Sequence, residues 1–119
     1  MKEKEIKVGL IRGRHEMSVD KYIFNEDISD VFDYKYMGET IRRFIDENMT
    51  FGQCMYAYPN QNDYTSVMAL FSFERLVVYI TGLTSVTAQL VKECIDRGAH
   101  LTLMHFNRDS GEYVPQIIS

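Results

Sequence analysis

The chain has 119 residues, 45% of them hydrophobic and 25% charged, with a formal charge of −4 and a pI near 5.3. That length suits one core, so residues 1–119 are read as a single α/β domain, and the composition is that of a folding chain rather than a disordered one. The acidic balance argues against duplex DNA and anionic membranes, which ask for a basic surface field, and the apolar part of MKEKEIKVGLI is too short for a signal peptide or a membrane span. A cytoplasmic location is the expectation.

The run IKVGLI from Ile6 to Ile11 reads as a first buried strand, closed by the polar loop Arg12-Gly13-Arg14-His15-Glu16. Tyr22 to Phe24 is a short second strand, and the acidic stretch from Asn25 to Asp33 a surface connection. Met37, Ile41, Phe44, Ile45 and Met49 recur at i, i+4, i+7, i+8 and i+12, the apolar stripe of a helix that covers a sheet. Gln53 to Ala57 follows as a strand ending in a turn-rich loop that contains Pro59, Asn60 and Asn62. The stretch from Thr65 to Phe73 fits either period; helix is favoured, because a strand parallel to its predecessor must be reached by a crossover.

LVVYI, Leu76 to Ile80, is apolar throughout, as strands in the middle of a parallel sheet are. It stops at Thr81-Gly82. Thr84 or Ser85 then caps a helix with Val86, Leu90, Val91, Cys94 and Ile95 on its buried face and Arg97-Gly98 at its end. LTLMHF, Leu101 to Phe106, is the next strand, and Tyr113 to Ile118 is an edge strand beyond the turn Arg108-Asp109-Ser110-Gly111. Alternation of strand and helix implies a doubly wound, mainly parallel sheet with about three helices and an antiparallel C-terminal edge strand. Cys54 and Cys94, in apolar stretches without metal-ligand spacing, are read as buried free thiols.

In open α/β sheets the ligand crevice lies beyond the carboxyl ends of the strands. Candidate ligand-binding residues are therefore Arg12 and Gly13 after the first strand, Thr81, Gly82, Thr84 and Ser85 after the LVVYI strand, and Asn107 and Arg108 after the last parallel one. Arg14, His15 and His105 are the candidate catalytic groups, because imidazole moves protons near neutral pH and guanidinium neutralises phosphate. The TGLTS turn opens a helix, whose first amides are unpaired donors at the positive end of its dipole. Three histidines without carboxylates at ligand spacing predict neither a metal site nor a cofactor. The ligand these groups suit is a nucleotide or another phosphate compound.

VVYITGLTSVTAQLVKECIDRGAHLTLMHF, together with the first strand followed by Arg14-His15, resembles small CRISPR-associated Rossmann-like proteins of the CARF and ring-nuclease type. The resemblance implies a homodimer in antiviral defence or counter-defence that binds a cyclic oligoadenylate second messenger. It also implies a hydrolase that cuts this ring without metal, through a ribose 2′-hydroxyl. Two other readings stand beside it: a non-enzymatic inhibitor that docks on a nuclease complex through Asp27, Asp30, Asp33, Glu39, Asp46 and Glu47, and a small phosphate-ester binder or hydrolase.

Overall fold

The computed structural model describes residues 3–13, 19–59 and 64–119, with the backbone alone described at 56–59 and 64–67. In chain order the elements are β1 (Lys4–Ile11), β2 (Tyr22–Phe24), α1 (Tyr34–Asn48), β3 (Phe51–Pro59), β4 (Tyr64–Ser72), β5 (Glu74–Tyr79), α2 (Thr84–Arg97), β6 (His100–Asn107) and β7 (Glu112–Ile117). Five strands form one sheet in the order β2-β1-β5-β6-β7, parallel except for the last, and β3 pairs with β4 in a separate antiparallel hairpin.

Strand alternation sends Val8, Leu10, Leu76, Val78, Leu101 and Leu103 to one face of the sheet. There Met37, Ile41 and Ile45 of α1 and Val86, Leu90 and Cys94 of α2 complete a single core. The helices lie side by side, and an Arg42 guanidinium nitrogen reaches both oxygens of the buried Glu93 carboxylate, at 2.9 and 2.8 Å. Arg97 pairs with Asp46 one turn further along. Burial pushes the Cys94 thiol up to about 12, so this cysteine is a packing residue and not a nucleophile.

The doubly wound expectation is corrected here. From β2 through α1 to β5, and from β5 through α2 to β6, the chain crosses the sheet in the same direction, and two crossovers of one hand then place both helices on the same side. The opposite face carries Val77, Tyr79, Met104, Phe106, Tyr113 and Ile117, with Phe106 and Ile117 exposed. Two helices stand among the described residues, not three, because Tyr64–Ser72 is strand β4. The crossover argument failed at its premise: β3 is not in the parallel sheet, so its successor had only to turn back and pair with it.

That hairpin is an arm. Its register runs unbroken from Phe51↔Ser72 to Pro59↔Tyr64, and among the described residues it pairs with no other strand. Its root is tied down by Phe73 N–H donating to the Thr50 carbonyl (2.9 Å), by Thr50 N–H and Oγ1 donating to the Glu74 carboxylate (2.8 and 2.6 Å), and by Ser72 N–H donating to the Gly98 carbonyl (3.0 Å). Gly98 closes α2 in the left-handed region at φ 73°, and a Cβ there would lie 2.1 Å from the Leu70 carbonyl oxygen. Glycine is required twice over. Beyond the root, Cys54 is exposed, against the expectation that it is buried, because an arm two strands wide has no second layer to cover it. The radius of gyration is 16.6 Å, against about 13.5 Å for a compact chain of this length. No helix among the described residues is long and apolar enough to cross a membrane.

Candidate functional site

β5 and β6 run parallel with Tyr79↔Met104 as their last pair, so Ile80-Thr81-Gly82 leaves β5 beside His105-Phe106, where β6 runs on to Asn107 at one edge of the sheet. Between them and α2 lies an open cavity of about 790 Å³, lined by both stretches, by Arg108 and Tyr113, and by Thr84, Thr87, Ala88 and Val91. The four helix residues stand at i, i+3, i+4 and i+7, one stripe of α2.

Thr81 decides the character of this cavity. It is 6% exposed, and its Oγ1 is buried without a hydrogen-bond partner among the described residues. Such a hydroxyl costs about 1–3 kcal/mol unless something supplies the missing bond. Immediately after it, Leu83 occupies the N-cap position of α2 with no side-chain capping bond, correcting the expectation that Thr84 or Ser85 caps. Thr84 is instead the first helical residue, and the first internal bond comes from Thr87 N–H to the Leu83 carbonyl at 3.2 Å. The amides of Thr84, Ser85 and Val86 are therefore left as donors at the positive end of a 14-residue helix. Gly82 has negative φ, and a Cβ there would meet nothing within 4 Å, so the fold does not require glycine at this position.

On the facing side, His105 Nε2 lies 2.7 Å from Gln116 Oε1. Because that amide oxygen can only accept, Nε2 is the donor of this bond, and Nδ1 is not engaged in it. Arg108 has no ion-pair partner among the described residues and brings the positive charge. The Phe106 and Tyr113 rings meet at a tilt of 53°, 5.3 Å between centroids, and Tyr113 meets Tyr79 edge-on at 4.8 Å; Phe106 and Tyr113 bring this aromatic cluster to the rim.

Thr81, Gly82, Thr84, His105 and Arg108 are thus brought to one cavity, as the strand-end argument expects. Ser85 does not line the cavity. Asn107 turns away, its Oδ1 accepting the Asp109 amide (3.0 Å) to build the β6–β7 turn. Arg12 lies over the Tyr22 ring, 4.8 Å from its centroid, in a separate recess beside β2 and α1, with Gly13 just beyond it. Its guanidinium stacks on that ring and does not line the α2 cavity. Arg14 and His15 lie outside the described residues. So do Asn60 and Asn62, and the strand before them belongs to the arm.

Sequence reasoning missed Phe106, Tyr113 and the α2 stripe. The helical spacing of Thr84, Thr87, Ala88 and Val91 was a usable signal. Within the acidic surface, Asp33 accepts the Tyr36 amide to cap α1, Asp30 accepts the Phe32 amide, Asp27 accepts the Ile28 amide, and Asp46 pairs with Arg97. Among the described residues no group of three or more His, Cys, Asp or Glu could hold a metal ion. No family model, curated protein or solved structure matches the chain.

Proposed function

We propose that this protein binds a phosphate-bearing nucleotide at the carboxyl edge of β5 and β6, with a cyclic oligoadenylate as the ligand. The orphaned Thr81 hydroxyl beside the uncapped start of α2 carries the reading: a phosphate there accepts from Thr81 Oγ1 and from the first helix amides, while Arg108 neutralises it. The aromatic rim at Phe106 and Tyr113 offers a base a stacking surface. The resemblance of this stretch to ring-nuclease proteins supplies the adenylate identity and the expectation of a homodimer in prokaryotic defence or counter-defence.

Cleavage is the further step of the same reading. A ribose 2′-oxygen attacks the adjacent phosphorus, the bond from phosphorus to the 5′-oxygen breaks, and a 2′,3′-cyclic phosphate and a 5′-hydroxyl result. His105 Nδ1 is the acceptor for the 2′-proton, solvent water in the open cavity protonates the departing 5′-oxygen, and Arg108 stabilises the added charge on phosphorus.

Titration with labelled cyclic oligoadenylates in the presence of EDTA, followed by separation of linear products, tests both parts. Saturable binding at micromolar protein is expected, weakened about tenfold by Arg108→Ala. Gly82→Val should abolish binding with no loss of thermal stability, because the space at Gly82 is open to a ligand and not filled by the fold. Equal affinity for inorganic phosphate and simple phosphate esters would favour the small phosphate-ester reading. No binding of either would overturn the site.

A further inference from the structure

The eighteen residues of β3 and β4, FGQCMYAYP and YTSVMALFS, include no charged side chain, and Asp63 is the only charged residue between Glu47 and Glu74. Met55, directly paired with Met68, is 69% exposed, and Met68 and Leu70 are exposed with it. A two-stranded hairpin is marginal by itself, and a long, straight edge without lysine, a bulge or an interior proline is a template for another strand. None of the usual blocking devices interrupts β3 before Pro59 at its tip.

The surface area says how much is left to cover. The chain exposes 8051 Å², against about 6,700 Å² for a compact monomer of 13.9 kDa. The excess, roughly 1,400 Å², is larger than the ~800 Å² that each partner contributes to an interface of ordinary size.

We infer that β3 pairs antiparallel with β3 of a second copy, joining two arms into a four-stranded sheet. Two identical strands in antiparallel register are related by a two-fold axis, so residues near the axis face their own copies. Any charge there would meet itself, and the arm carries none. A partner of different sequence would gain nothing from that neutrality. β3 is the edge used, because the outer edge of β4 is approached at its root by Gly98, whose carbonyl accepts the Ser72 amide. The inference rests on the arm alone and does not depend on the ligand.

Sedimentation of the full chain under reducing conditions gives the first reading: a species of twice 13.9 kDa is expected, and a monomer at the highest soluble concentration overturns the inference. Met55→Glu and Met55→Lys should each fold as wild type, since the side chain is exposed, and each should weaken self-association on the order of 100-fold by placing like charges across the axis. Mixing the two variants should restore the dimer. A dimer that survives Met55→Glu but is lost with Ile117→Glu, on the face of the five-stranded sheet away from the helices, would place the interface there and overturn the arm. Failure of the mixed variants to associate would do the same.

Discussion

The sheet with its two helices and the β3–β4 arm are made from one chain under opposite rules. In the body, apolar residues alternate so that one face is buried, and the buried charge at Glu93 is met by Arg42 with two hydrogen bonds. In the arm, apolar residues such as Met55, Met68 and Leu70 are left exposed on two strands that, among the described residues, pair only with each other. Burial rather than pairing is what stabilises the first, while the second is held at its root by a handful of hydrogen bonds. The difference teaches that the two regions should respond to different perturbations.

The largest expected effect is at their junction. Gly98→Ala puts a Cβ into the Leu70 carbonyl and forces a left-handed residue, so it should destabilise by about 4 kcal/mol in chemical denaturation and shift the arm signals in an NMR spectrum. Leu90→Ala, in the body, should cost about 3 kcal/mol and leave the arm unaltered. Arg42→Ala takes both short bonds from the buried Glu93 carboxylate, leaving it the Lys92 ammonium at 3.5 Å, and should cost about 2 kcal/mol, with Arg42→Ala/Glu93→Gln recovering part of it.

Acid separates the regions more gently. At Glu74 burial works against the charged form, but the bonds from Thr50 outweigh it and hold its pKa below the ordinary value of 4.5. A lowered pKa stabilises the fold above that value, and the contribution is lost as pH falls through the lower, folded one. Amide exchange at Thr50 and Phe73 should therefore quicken below about pH 4.5 before exchange in β5 does. Glu3 behaves alike at the far edge: its bond to His100, then that to Arg75, lowers its pKa against a burial effect that raises it. Leu70→Ala should change monomer stability by no more than about 0.5 kcal/mol, the smallest effect of the set.

Much of the body is legible in the sequence, because LVVYI is apolar throughout, LTLMHF is interrupted only by Thr102 and His105, and Gly98 marks the end of α2. Tyr22–Phe24 and the antiparallel edge strand are found as short runs bounded by turn residues. The arm is not legible: Thr65 to Phe73 satisfies both periods, and only the three-dimensional destination of β3 distinguishes them. At the site, the strand-end rule locates Thr81, His105 and Arg108, since it depends on topology that the sequence reveals. It misplaces Asn107 and Arg12, whose side chains were captured by a neighbouring amide and a neighbouring ring.

α2 touches both regions, with Thr84 at the candidate site and Gly98 at the root of the arm. Fourteen residues at 1.5 Å rise make a strut about 21 Å long. Tilting it by about three degrees about its first turn moves its far end by roughly 1 Å, and at Gly98 the spacing to the Leu70 backbone leaves no slack to absorb that travel. The helix is a lever whose long end carries the arm.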